Sequence, residues 1–184
     1  AGAIIAAFYA SGYSPDDMEK IFIETDQSKF YSRVSADNSS IMGLTGVSKI
    51  LEDLLGERKL EDLEIRCGLT AVDIKSASEV ILTEGRVVDA VLASIALPGI
   101  FPPFVRGDYL LVDGGVLDPV PVSVARQLCG DLPVIAVVLT PAYEMEGSIK
   151  GIRLPVTIPV TLIDRIQRTR LAQTINIFLV SVDV

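Results

Sequence analysis

Pro133-Val134-Ile135-Ala136-Val137-Val138-Leu139 is the stretch on which the fold class turns. It is short, uncharged and rich in β-branched residues. Such a run fits a strand buried on both faces, which is how strands sit in parallel sheets covered by helices above and below. The flanking sequence supplies those helices. Helical patterns run over 3–11, closed by Gly12, over 47–55, stopped by Gly56, and over 87–96, 120–128 and 161–176. Another starts at Ser14-Pro15-Asp16-Asp17, where Ser14 suits the N-cap, Pro15 the first helical position and the two acids the first turn, with Met18, Ile21 and Phe22 following at helical spacing. Strand patterns cover 65–72 and 79–82, joined by a polar connection over 73–78, then 109–112 and the opening of one more over 177–184. Residues 25–40 are polar and aperiodic and read as a loop. This alternation predicts an α/β domain of three layers, with helices on both sides of a mostly parallel central sheet. One domain spans residues 1–184, and both ends read as cuts through a longer chain.

Composition removes several functions. A chain of 184 residues with 49% hydrophobic content can bury a core without metal or disulfide staples. A formal net charge of −8 and a pI near 4.5 leave no basic stripe for nucleic acid and no attraction to an anionic membrane. Cys67 and Cys129 are too few for a disulfide framework or a zinc site and are expected to be buried free thiols, acceptable in a reducing compartment. No apolar run approaches the roughly 18–20 residues that span a bilayer. The expected location is cytoplasmic, in solution or peripheral to a membrane. The absence of histidine excludes a Ser-His-Asp triad, a Cys-His pair and His-ligated zinc. Acid–base chemistry then falls to Asp, Glu, Lys or Tyr. Neither a metal nor a cofactor is expected.

Three segments carry candidate chemistry. Asp113 ends a short apolar strand and is followed by Gly114 and Gly115, which permit a tight turn. In open α/β sheets sites form outside the carboxyl ends of strands, where Asp113 would lie, although Asp-Gly after a strand is also an ordinary turn. Asp118 is better placed to N-cap a helix begun by Pro119. In Ala93-Ser94-Ile95-Ala96-Leu97-Pro98-Gly99-Ile100-Phe101-Pro102-Pro103-Phe104, a helix ends in a rigid turn. Its Leu97, Ile100, Phe101 and Phe104 either pack that turn or line an apolar pocket for an acyl chain. Finally, Ala1-Gly2 before a small apolar helix has the form of the last two positions of a G-x-S-x-G elbow, in which a serine sits on a sharp strand-to-helix turn.

Taken in order, the x-G helix opening, Thr70-Ala71-Val72-Asp73, the Ala-Ser-x-Ala-x-Pro-Gly-x-Phe-Pro-Pro turn and Asp113-Gly114-Gly115 resemble the patatin-like phospholipases over roughly residues 1–140. The resemblance implies a patatin-like α/β fold and a Ser-Asp dyad that works without histidine. It makes Asp113 the dyad aspartate and Ala1 and Gly2 the end of the elbow. The serine would directly precede Ala1, with a glycine-rich oxyanion loop further upstream. Ile95 and Leu97 are bulkier than is usual in that turn, and Pro119 stands where Asn is common; both departures bear on pocket shape. The implied activity is serine acyl hydrolysis of a lipid, phospholipid or other carboxylic ester, at a membrane surface or away from one, with acyl transfer as its close relative. The alternative is a catalytically silent lipid-binding or regulatory domain of the same fold. Without the serine and the oxyanion loop, residues 1–184 by themselves are expected to be inactive. Strands missing upstream would leave a sheet edge open to self-association; the sequence leaves the oligomeric state open.

Overall fold

The computed structural model describes residues 2–25, 32–33 and 42–137. Helix α1 (Gly2–Ala10) is built from small apolar residues, buries Ala7, Phe8 and Ala10, and is followed by Gly12 in the left-handed region at φ +93°. Helix α2 (Pro15–Glu24) starts as its sequence dictates. The Ser14 hydroxyl accepts the Asp17 N–H at 3.2 Å while the Ser14 N–H donates to the Asp17 carboxylate at 3.1 Å, a reciprocal cap with Pro15 in the first turn. The Phe8 ring meets Tyr13 and Phe22 edge-on, at centroid distances of 5.2 and 6.3 Å, which fastens α1 to α2. Two-residue strands β1 (Ser32–Arg33) and β2 (Met42–Gly43) pair antiparallel inside and just after the segment expected to be a loop.

Helix α3 (Thr45–Leu55) begins two residues before the expected start and buries Val47, Leu51 and Leu55, one residue per turn along a single face. Helix α4 (Val87–Ser94) ends two residues before the expected 96. It buries seven of its eight residues, so it is a central helix packed on all sides rather than an amphipathic cover. Arg86, just ahead of α4, pairs with Glu52 on α3 at 2.5 Å and holds the two helices in register.

The main sheet has the order β4-β3-β6-β5, from β3 (Leu69–Asp73), β4 (Ser78–Leu82), β5 (Phe104–Arg106) and β6 (Tyr109–Asp113). With α1–α4 and α5 (Val122–Cys129) around it, the domain is α/β as expected. The sheet itself differs from the expectation of mostly parallel strands: every pairing among the described residues is antiparallel. Short connections explain two of the pairings. Residues 74–77 turn β3 back into β4, and Gly107-Asp108 turns β5 back into β6, whereas parallel neighbours need a long crossover. Strand β5 was hidden in a segment that reads as the end of a proline-rich turn.

Other expectations are corrected. Residues 133–137 form no strand and pair with none of the described strands, and Ile135 is 84% exposed. Among the described residues this run has no neighbour for its backbone N–H and C=O groups and so no ladder to join; residues 138 and 139 lie outside the described residues. The strand expected from 65 starts only at Leu69, and the helix expected from 120 starts at Val122. Asp118 therefore caps no helix. Its carboxylate accepts the Val120 N–H at 3.2 Å in a turn ahead of α5, because Pro121 disfavours helical backbone at Val120. Of the two thiols, Cys67 is buried, which pushes its pKa up, while Cys129 is exposed. Ala1, the helix expected over 161–176 and the strand expected over 177–184 lie outside the described residues.

Asp73, at the end of β3, joins the strand connections together. Its carboxylate accepts the Ser76 hydroxyl at 2.6 Å, the Ser76 N–H at 3.1 Å and, across the sheet, the Leu110 N–H at 3.0 Å. These donors, the Ser76 hydroxyl foremost, hold its pKa down to about 2. A carboxyl depressed in the folded state stabilises above its unfolded value, about 3.9, and loses that stabilisation as pH falls toward the folded value. Urea midpoints are thus expected to fall more steeply between about pH 4 and pH 2 for the wild type than for Asp73→Asn, which starts lower at pH 7. Parallel curves for the two proteins would remove Asp73 from the acid transition.

Candidate active site

Strand β6 delivers Asp113 to a position fixed from three sides. Its N–H donates to the Ala96 carbonyl at 3.0 Å just beyond α4, its backbone lies opposite Ala71 in β3, and its carboxylate Oδ1 accepts the Gly115 N–H at 2.7 Å. The chain then tightens into a 3-10 turn, Gly114–Val116. Space, not a left-handed backbone, demands Gly114. A Cβ there would stand 2.5 Å from the Thr70 carbonyl oxygen and closer still to the Thr70 hydroxyl. At Gly115 a Cβ would come within 3.1 Å of Asp113 Oδ1. The two glycines therefore bring the turn onto β3 and let the carboxylate fold back on it.

A cleft of about 300 Å³ opens in front of Asp113. It is lined by Gly2, Ala3 and Ala6 of α1, by Gly68, Leu69 and Thr70 at the start of β3, by Ser94 at the end of α4, and by Asp113, Gly115, Asp118, Pro119 and Pro121. Gly2, at the start of α1, and Asp113, more than a hundred residues later, thus line one cavity. Leu97, Ile100, Phe101 and Phe104 are not among its lining residues. The Leu97 carbonyl accepts the N–H groups of Ile100 at 3.1 Å and Phe101 at 2.9 Å, closing a turn, and Phe104 opens β5 and packs against the core. Thr70 and Ser94 were visible in the sequence only as members of motifs; their burial beside the carboxylate is what marks them. A hollow of about 400 Å³ at the opposite end of α1, around Arg58, Lys59, Asp62 and Glu64, is larger but carries offsetting charges, and Arg58 is committed to the Leu54 and Leu55 carbonyls.

Burial pushes the Asp113 carboxyl above its ordinary range, and the Gly115 N–H opposes part of that push. A carboxylate raised in this way is a better proton acceptor than a free one. Among the described residues no three His, Cys, Asp or Glu side chains cluster as metal ligands, and no helix is long and apolar enough to cross a membrane.

The family model for the patatin-like phospholipases matches residues 1–126, a stretch that includes Gly2, Thr70, Ser94 and Asp113. The chain belongs to the patatin-like phospholipase family. Among its relatives are NTE family proteins of Mycobacterium tuberculosis. One is 29% identical over 153 residues, which is 82% of this chain and 40% of that protein. Another is 31% identical over 122 residues, 65% of this chain and 20% of that protein. A patatin-like phospholipase domain-containing protein of Rattus norvegicus is 31% identical over 101 residues, 54% of this chain and 7% of that protein. The chain thus spans less than half the length of these curated relatives. In this patatin-like domain, every element from α1 to β6 falls inside the matched region, and so does every residue that lines the cleft.

Proposed function

We propose that the protein is a serine acyl hydrolase of lipid or other carboxylic esters, in which Asp113 is the general base of a Ser-Asp dyad and the nucleophile directly precedes Ala1. The observation that carries this reading is the cleft shared by Gly2 and Asp113. A serine two positions before Gly2 would stand at the entrance to α1, at the cleft that Asp113 lines. Family membership supports lipid ester hydrolysis as the chemistry. Asp113 takes the serine proton as the hydroxyl oxygen attacks the ester carbonyl, and the alcohol leaves with a proton from the same carboxyl group. The resulting acyl-enzyme is then cleaved by water. A single half-buried carboxylate can serve both steps, so the lack of histidine is no obstacle.

Fluorophosphonate labelling tests the assignment. The intact protein is expected to take one label per chain, mapped by peptide mass spectrometry to the residue directly before Ala1, and residues 1–184 alone are expected to take none. A label mapped inside residues 1–184 would overturn the nucleophile's position. A folded intact protein that takes no label would be the silent domain instead.

A further inference from the structure

Two residues that line the cleft carry hydroxyls without a use in the fold. Thr70 is 8% exposed and Ser94 is 9% exposed, and both line the cavity that holds Asp113. Neither side chain has a hydrogen-bond partner among the described residues. A hydroxyl that lines a cleft without a protein partner is available to a molecule held there, and a water bridging such groups binds nearly as well as a direct partner. The backbone sets both beside the carboxylate. Thr70 adjoins Ala71, the cross-strand partner of Asp113, and its hydroxyl lies where a Cβ on Gly114 would point; Ser94 lies two residues before Ala96, whose carbonyl accepts the Asp113 N–H. Asp113 Oδ1 accepts the Gly115 N–H, and Oδ2 has no hydrogen-bond donor among the described residues.

We infer that Thr70 and Ser94 hold the water that hydrolyses the acyl-enzyme, with Asp113 Oδ2 as its third partner. This rests on the dyad assigned above. A water needs two to four polar partners to be ordered, and two hydroxyls plus a carboxylate oxygen supply three. A hydroxyl can donate to the water's lone pair or accept its proton, so the pair can leave one O–H aimed at Asp113. In the step itself, the water oxygen bonds to the acyl carbon as its proton passes to Asp113 Oδ2. The tetrahedral adduct then collapses, the carbon–oxygen bond to the serine breaks, and the proton moves from Asp113 to the serine oxygen. The products are a carboxylic acid and the regenerated hydroxyl.

The experiment separates formation of the acyl-enzyme from its breakdown in the intact protein. Single turnovers with a p-nitrophenyl ester give acylation from p-nitrophenolate release, and intact mass after acid quench gives the decay of the acyl adduct. Thr70→Val and Ser94→Ala are each expected to slow adduct decay about tenfold while acylation changes less than about twofold, roughly the worth of one hydrogen bond to the water. With methanol present, both variants should shift product from free acid to methyl ester, because methanol does not depend on the same hydroxyl pair. The conservative Thr70→Ser and Ser94→Thr are expected to restore decay. If acylation and decay fall together and the acid-to-ester ratio stays at the wild-type value, the hydroxyls are structural and the inference fails. A wild type that forms no acyl adduct at all would overturn the dyad, and this inference with it; normal adduct decay in both variants would overturn this inference alone.

Discussion

Asp113→Asn in the intact protein is expected to lower kcat/KM for p-nitrophenyl ester hydrolysis by about 10²- to 10⁴-fold, the usual contribution of a positioned general base, without loss of fold. Asn matches Asp in shape, and its carbonyl oxygen can still accept the Gly115 N–H that Asp113 Oδ1 accepts at 2.7 Å. The turn stays closed; what disappears is the proton acceptor. Stability should move the other way. Burial raises the carboxyl's folded pKa, so the charged form is the costly one in the fold. For a group raised in the folded state, stability is greatest below its unfolded value and is lost as pH rises through the folded value. The variant escapes that loss. Its melting temperature should therefore match or exceed the wild type's at pH 7, and the difference should shrink toward pH 4. Active sites commonly trade stability for chemistry in this direction. Full activity in Asp113→Asn would remove Asp113 from the mechanism, and a variant that is both inactive and markedly less stable would make its role structural.

How far the sequence could be read depended on the range of the interaction behind each feature. Ser14, Pro15, Gly12 and Gly56 announce helix ends through contacts within a few residues, and the structure places caps or positive φ at each. Asp113-Gly114-Gly115 was legible for the same reason: the carboxylate closes on a turn only two residues away. Sheet direction was not, because it depends on which strands the turns bring together. The run at 133–139 has the composition of a doubly buried strand, yet residues 133–137 pair with no described strand, while β3 has all five of its residues buried. The roles of Thr70 and Ser94 were equally out of reach. A threonine in a strand and a serine at a helix end are ordinary residues until their burial around one carboxylate is known.

The most damaging single substitution near the site should be the smallest. Gly114→Ala adds one methyl group to a position where a Cβ would lie 2.5 Å from the Thr70 carbonyl oxygen and 2.7 Å from its carbonyl carbon. Those atoms belong to the backbone of β3, which is hydrogen-bonded to β4 on one side and β6 on the other and cannot step aside without both. The turn must move instead, at a cost of about 1–3 kcal/mol for such overpacking, and it carries the neighbouring Asp113 with it. A misplacement of about 1 Å at a reacting group can cost on the order of 10²-fold in rate, so hydrolysis by the intact protein should fall to that extent along with the urea midpoint. Gly68→Ala is the matched control for stability. There a Cβ would come within 2.6 Å of Leu128 Cδ1, the end of a flexible side chain that can rotate away. Gly115→Ala separates the two effects in the other direction: its Cβ would sit 3.1 Å from Asp113 Oδ1, where a few tenths of an ångström of yielding suffices for the fold but displaces the carboxylate itself. The expected order is Gly114→Ala worst in stability, Gly115→Ala close to wild type in stability but impaired in rate, and Gly68→Ala mild in its melting midpoint. Equal urea midpoints for Gly114→Ala and Gly68→Ala would mean that β3 yields as readily as a leucine tip, and the rigid seat argued for Asp113 would be lost.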